Sequence, residues 1–212
     1  MCLILQLHTI DKEKKMAFKT VTKLFGVDDA KLFPITEDSQ AAFTCADGID
    51  LPGVRQISLT YEIEEKELMG DEKVLEVSNK IKSITFNIEY AKLSLEVLAE
   101  LTGGSLTQSG EGDNAVGVFS FGGGDLPGYF QLKAQILDTN NEGGDVHFCI
   151  YKAKATALPI NGVQDDFATL TFDGKGVYTE HEFGTTNKQT KLLDIEVHAK
   201  AKNLAATVDA AN

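Results

Sequence analysis

Apolar and polar side chains alternate along most of this chain. Alternation with a period of two is typical of strands that bury one face and leave the other in solvent. The stretches that show it are 57–63, 84–90, 130–136, 146–151, 168–172 and 193–199, with a shorter one at 116–121. Asp173-Gly174 follows the fifth stretch and predicts a hairpin turn, with Val177-Tyr178 on the returning strand. Strands at this density predict a mainly β fold, either a β-sandwich or an open barrel.

One short segment has helical spacing instead. Leu95, Leu98 and Leu101 recur at the intervals that place side chains on one side of a helix. Ser94 precedes them as a candidate N-cap, and Gly103-Gly104 follows them with residues suited to a left-handed helix end. We therefore predict one short helix over about residues 94–102 that lays its apolar face against a sheet.

Two segments interrupt these patterns and predict irregular structure. Residues 62–76 hold seven acidic residues against two lysines, a balance of −5, and carry the apolar pair Leu68-Met69 before Gly70. We predict a long loop or hairpin here, with the apolar pair at its tip. The second segment, residues 103–128, is rich in Gly, Ser and Asp.

The chain has 212 residues and a net charge of −12 at pH 7. This length fits one large β domain, which we place at residues 16–212. The acidic surface repels nucleic acid phosphates, although it suits a protein that DNA must pass without adhering. No apolar stretch is long enough to span a membrane, so we expect no membrane insertion.

Residues 1–15 stand apart from this domain. Met16 follows residues 12–15, Lys-Glu-Lys-Lys, whose codons are purine-rich like a bacterial ribosome-binding site. We hypothesise that Met16 is the natural start, so that residues 1–15 are either upstream sequence or a disordered extension. The intact mass of protein made from the native gene tests this, and a mass that includes residues 1–15 contradicts it.

Candidate metal and cofactor residues do not form a recognised pattern. The three cysteines lack C-x-x-C spacing, which predicts free thiols. His147 and Cys149 share one face of a strand and a metal could use both, but no further ligand lies nearby in sequence. Gly122-Gly123-Gly124 runs into Asp125, which would repel the phosphate that a P-loop binds. We therefore predict no metal, no cofactor and no nucleotide site.

Catalytic constellations are missing in the same way. No serine lies in a G-x-S-x-G elbow, and Asp165-Asp166 is weak evidence for a glycosidase because acidic residues are abundant. We predict that the protein is not an enzyme and has no catalytic residues.

Two series of short motifs follow one another along the chain. The first covers residues 50–104, from Leu51-Pro52-Gly53-Val54 through the acidic segment to the helix and its closing glycines. The second begins at Tyr129-Phe130-Gln131-Leu132 and ends at Phe172-Asp173-Gly174-Lys175. In order and spacing these motifs resemble the tail tube (major tail) proteins of tailed phages.

The resemblance implies a structural virion protein that works by self-assembly. Copies would associate into hexameric rings, and the rings would stack into a hollow tube that conducts the genome. Its partners would be itself, other tail proteins such as the tape measure and tube-end proteins, and double-stranded DNA passing non-specifically through the lumen. The protein would be made in the bacterial host cytoplasm and located in the tail of the virion. The resemblance does not distinguish tubes of non-contractile tails from those of contractile tails or of encapsulated gene-transfer particles.

In that family a long hairpin loop bridges neighbouring subunits and rings, and residues 62–76 are its counterpart. Leu68 and Met69 would be its apolar anchors, since an apolar tip is costly to leave in water. The alternative is a solvated acidic loop. The self-assembly residues that we predict are Glu64, Glu65, Glu67, Leu68, Met69, Gly70 and Asp71.

A second function class is a monomeric β-sandwich binding module, for example for a carbohydrate. Such modules usually expose Trp or Tyr for stacking on sugar rings. This chain has no Trp and five Tyr, which favours the assembly hypothesis.

Overall fold

The structure is a computed structural model that describes residues 24–71, 73–138, 144–158 and 169–207. The predicted extension over residues 1–15 and the Asp165-Asp166 pair lie outside the described residues. The strands are β1 Leu24–Asp38, β2 Phe43–Cys45, β3 Ile49–Asp50, β4 Val54–Gly70, β5 Lys73–Tyr90, β6 Ser105–Ser109, β7 Val116–Ser120, β8 Phe130–Asp138, β9 Val146–Ala157, β10 Leu170–Val177, β11 Glu182–Phe183, β12 Gln189–Thr190 and β13 Leu193–Val197. One helix, α1, spans Leu95–Thr102, and a short 3-10 turn spans Gly112–Asn114.

Nine of the strands form one antiparallel sheet. Its main path is β2-β1-β8-β9-β10-β5-β4, with β3 paired to β1 and β13 paired to β9. Along one edge of β9, β13 pairs with the first part of the strand and β10 with the second part. The sheet curves enough that β1 and β4 also approach each other. The prediction of a mainly β fold with one helix is confirmed.

The core lies on the concave side of this sheet, where apolar side chains from every second strand position meet. Phe86 packs edge to face against Phe130 and Phe172, with ring centroids 6.4 Å and 6.1 Å apart. Edge-to-face packing suits the aromatic quadrupole and adds to the gain from burial. Further core residues are Leu32, Ile84, Ile88, Tyr90, Leu132, Ile150, Ala153 and Leu170.

The predicted hairpin turn at Asp173-Gly174 is wrong. Both residues lie inside β10, where Asp173 pairs with Asn87 and Gly174 pairs with Phe86 of β5. The Phe86 ring occupies the space that a Cβ at Gly174 would need. The glycine is therefore required by packing across the sheet and not by a turn.

The predicted helix is confirmed, with its expected ends. The Ser94 side chain accepts a hydrogen bond from the backbone N–H of Val97 at 3.4 Å, and Gly103 adopts φ 74°. Leu98 and Leu101 are buried and Leu95 is half-buried. The apolar face of α1 thus joins the core, and β6 and β7 pair as a small hairpin beside the helix. Part of the segment predicted to be irregular, residues 103–128, is therefore regular.

Asp38, the last residue of β1, joins three distant parts of the chain. Its carboxylate accepts hydrogen bonds from Lys152 Nζ at 2.7 Å and from the backbone N–H groups of Glu180 and His181, each at 3.0 Å. Burial alone would raise the pKa of the Asp38 carboxyl. The hydrogen bonds outweigh burial and hold this pKa below its usual value. β1, β9 and the segment after β10 are tied together at this carboxylate.

Candidate functional site

The β4–β5 hairpin extends well beyond the rest of the sheet. β10 pairs with β5 only as far as Ile84, whereas β4 and β5 stay paired out to Gly70 and Lys73. We call the extended part, residues 63–71 and 73–81, the arm. Its eight or so residue steps at about 3.3 Å each give a length of roughly 25 Å. The predicted loop or hairpin over 62–76 is therefore a hairpin, and its strands are regular almost to the turn.

One face of the arm carries five apolar residues, together with Glu65, Glu67 and Asn79. Ile63 pairs with Ile81, Met69 pairs with Val74, and Val77 lies opposite Glu67. Paired residues share a face, and so do residues two apart on a strand. The five apolar residues of this face, which we call the apolar face, are each between 44% and 59% exposed: Ile63, Met69, Val74, Val77 and Ile81.

The two predicted anchors, Leu68 and Met69, are adjacent in β4. Leu68 precedes Met69 in β4, so the two side chains point to opposite faces, and Leu68 lies opposite Glu76. It is 56% exposed. A bulge in β5 at this point places the Leu75 side chain against Gly70. The role of Leu68 and Met69 as anchors stays a prediction, and no local pattern indicated the residues that β5 contributes.

The predicted acidic residues lie on both faces of the arm. Glu64 shares the face of Leu68, and its carboxylate lies 3.4 Å from Lys66 Nζ. Glu65 and Glu67 lie on the same face as the five apolar residues, between Ile63 and Met69. All three glutamates are exposed. Asp71 forms the turn with φ 47°, a left-handed conformation that aspartate tolerates better than most residues.

The base of the arm is anchored to the sheet by one carboxylate. Glu62 of β4 accepts hydrogen bonds from Ser83 Oγ at 2.5 Å and from Lys175 Nζ at 2.8 Å. The hydrogen bond from Lys175 is the main cause that lowers the pKa of Glu62. Since Ser83 belongs to β5 and Lys175 to β10, these contacts fix the direction in which the arm leaves the sheet.

A cavity of about 560 Å³ lies on the other side of β8 and β9 from the core. Its floor is formed by Gln131, His147, Cys149 and Tyr151, and Phe183 and Leu204 lie among its walls. Gln131 is 1% exposed, and its side-chain oxygen has no hydrogen-bond partner among the described residues. Burial raises the pKa of the Cys149 thiol to about 12, which leaves it protonated and unreactive.

Residues 198–204, which we call the strap, cross one end of this cavity. The buried Asp145 carboxylate accepts hydrogen bonds from the Gln135 amide at 2.8 Å and from the backbone N–H of Lys202 at 2.9 Å. The Gln135 side chain in turn accepts a hydrogen bond from the Leu204 N–H at 3.2 Å. The His198 N–H donates to the Asp145 carbonyl at 2.9 Å. These bonds hold the strap against the sheet at several points.

Two histidines and a glutamate meet where the strap leaves β13. His147 Nδ1 lies 3.1 Å from His198 Nε2, and His198 Nε2 lies 3.3 Å from a Glu196 carboxylate oxygen. His147 Nε2 lies 2.8 Å from the Lys202 carbonyl. Burial is the main cause that lowers the pKa of His147, so its imidazole is mostly neutral near pH 7.

The sequence had suggested Cys149 as the partner of His147, but the cluster is formed with β13 instead. Glu196 pairs directly with His147 across the β9–β13 ladder. The available signal was Glu196 and His198 two apart on a predicted strand, on one face. Nothing in the sequence indicated which strand would lie beside it.

Comparison with known protein families and with curated proteins finds no match to this chain. Within the described part of the chain, no helix is both long enough and apolar enough to cross a membrane.

Proposed function

We propose that this chain is a structural protein of the phage tail tube type, which assembles with copies of itself into stacked hexameric rings. The tube would be a conduit for DNA, and the chain would have no catalytic role. The observation that carries the proposal is the arm, with its exposed apolar face.

The arm is poorly suited to remain alone in water. An isolated two-stranded hairpin is at best marginally stable, and the arm receives no third strand from the described residues. Its five apolar residues lie in two groups on one face, Ile63 with Ile81 near the base and Met69, Val74 and Val77 near the tip, and exposed apolar groups of this kind mark interaction surfaces. A second copy of the chain that covered the apolar face would stabilise both the arm and the contact.

The coarse architecture supports the same proposal. The motif order from residue 50 to residue 104 corresponds to β3, β4, the arm, β5 and the helix α1 in succession. A large curved antiparallel sheet with one flanking helix is compatible with the sandwich or open barrel that the resemblance implies. The net charge of −12 would limit adhesion of DNA to a tube wall, because each phosphate contact adds a salt-dependent attraction.

The test is assembly of the purified, untagged chain at increasing concentration. We expect sedimentation velocity to detect large species and negative-stain electron microscopy to show rings or tubes. Met69→Asp with Val77→Asp places two charges on the apolar face, and this variant should stay a folded monomer. Leu68→Asp is the matched control, because Leu68 is similarly exposed but points to the opposite face, and it should still assemble.

Two results would contradict the proposal. Wild-type chain that stays monomeric at every concentration, with or without other tail proteins, would contradict self-assembly. If the Met69→Asp, Val77→Asp variant assembles at the same concentration as the wild type, the apolar face is not the contact. Circular dichroism should show cooperative unfolding of the core in all three chains, since the arm lies outside the core.

The alternative, a monomeric binding module, is favoured by the cavity and by the unpartnered oxygen of Gln131. The tyrosine ring there is already engaged, because Tyr151 donates its hydroxyl to Asp194 at 2.7 Å and Lys191 lies over its ring. This leaves Tyr151 less available for stacking on a sugar. A glycan array tests this alternative, and specific binding by a persistently monomeric chain would favour it over assembly.

A further inference from the structure

We propose that His147, Glu196 and His198 form a binding site for a divalent transition-metal ion, with zinc the ion that best suits the three ligands. The site goes beyond the proposed assembly function and is independent of it. It also departs from the sequence-based prediction that the chain has no metal site.

The donor atoms are spaced as a shared ion requires. Zinc binds imidazole nitrogen at about 2.0–2.1 Å, so two ligands of a tetrahedral site lie roughly 3.3 Å apart. The distance from His147 Nδ1 to His198 Nε2 is 3.1 Å, and that from His198 Nε2 to the Glu196 carboxylate is 3.3 Å. All three donor atoms lie within 4.8 Å of one another. One ion can therefore contact all three with small side-chain adjustments.

Hydrogen bonds to the ligand His147 also favour metal binding. A metal-binding histidine usually donates its second ring N–H to a carbonyl or a carboxylate, which fixes the ring and its tautomer. His147 Nε2 has such a partner in the Lys202 carbonyl at 2.8 Å. The Lys202 N–H is held in turn by the buried Asp145 carboxylate at 2.9 Å. With Nε2 carrying the proton, Nδ1 of His147 has a lone pair to offer the ion.

Access and charge also suit a cation. Glu196 is more than half exposed, so the site opens to solvent on that side, while the two imidazoles are largely covered. Three protein ligands and one solvent position is a common arrangement for zinc, with two histidines and a glutamate among its known ligand sets. Water would complete the coordination. Glu196 would partly neutralise the ion.

Binding would link three separate parts of the fold. His147 lies in β9, Glu196 in β13 and His198 at the start of the strap. An ion that contacts all three would cross-link the end of the described chain to the centre of the sheet. We therefore expect the ion to raise the melting temperature of the protein, because it binds the folded chain and not the unfolded one.

The experiment uses the full chain without a histidine tag, treated with EDTA and kept reduced. Co²⁺ titration should produce the visible absorption of a tetrahedral ion, saturating at one per chain. Calorimetry with Zn²⁺ should give the same stoichiometry. The melting temperature should rise with added Zn²⁺ and fall again with EDTA.

Variants separate this site from the other possible ligands. His198→Ala and Glu196→Gln should each abolish saturable binding, and the exposed position of Glu196 makes its variant the safer one for folding. His181→Ala and Cys149→Ala should bind as wild type. A wild-type chain without saturable binding would overturn the proposal, and so would unchanged binding in Glu196→Gln or lost binding in Cys149→Ala.

Discussion

Replacing Asp38 with alanine should destabilise the fold more than most single substitutions in this chain. The side chains of Asp38 and Lys152 are only 6% and 12% exposed, so the change leaves a nearly buried ammonium without its main partner. It also removes the acceptor for two backbone N–H groups. Breaking a buried ion pair from one side typically costs about 3–5 kcal/mol. Glu180, with a carboxylate 3.6 Å from Lys152, can compensate in part, so we expect about 3 kcal/mol.

Urea unfolding followed by circular dichroism measures this loss. The double variant Asp38→Ala, Lys152→Met removes both charges, and it should lose less stability than the two single variants added together. Contacting charged residues usually show a coupling of about 0.5–3 kcal/mol. A loss below about 1 kcal/mol in Asp38→Ala, or strict additivity in the double variant, would refute the reasoning.

The same carboxylate gives a pH dependence with a defined sign. The pKa of Asp38 is lower in the folded chain than in the unfolded chain, so its contribution is complete above the usual aspartate pKa of about 3.9. The contribution is lost as the pH falls below that value and through the folded pKa. The stability difference between wild type and Asp38→Asn should therefore shrink as acid is added, and a difference that stays constant would contradict this assignment.

Three other predictions test separate parts of the structure. Gly174→Ala should cost about 1–3 kcal/mol in urea unfolding, because its Cβ would meet an aromatic ring, whereas Gly123→Ala, with open space around it, should be neutral. Ser94→Ala should cost about 0.5–1 kcal/mol by the same measurement, through loss of the helix N-cap. Cys149 should resist iodoacetamide at about pH 8 in the native protein and react in urea, as peptide mass mapping would show. Equal destabilisation by the two glycine variants would contradict the first prediction. Wild-type stability of Ser94→Ala would contradict the second, and labelling of Cys149 in the native protein would contradict the third.

The sequence predicted those elements whose signal is local. The alternating stretches became β4, β5, β8, β9 and β13, and the helix has the cap and the end that its residues indicate. These signals are contained within a few neighbouring residues. They do not depend on which strands are neighbours in the sheet.

The errors arose where the cause lies across the sheet. Asp173-Gly174 suggested a turn, but Gly174 is needed because the Phe86 ring on the neighbouring strand occupies the space of a side chain there. Leu68 and Met69 are neighbours in sequence, but the pleat places them on opposite faces, and Val77 and Ile81 of β5 share the face of Met69. His147 and Glu196 meet only because β13 pairs with β9. Register between distant strands cannot be read from local pattern.

The position of β1 in the sheet has a consequence for how the chain folds as it is made. Leu32 of β1 pairs on one side with Ile49 of β3 and on the other with Leu132 of β8, so one edge of the first described strand must wait for a partner far along the chain. At about 5–20 residues per second, synthesis of the intervening segment takes on the order of 5–20 s. During that time Leu32 and Phe33, which are fully buried in the finished protein, have no core to enter. Newly made chains would therefore expose these apolar side chains during synthesis, which favours aggregation at high expression.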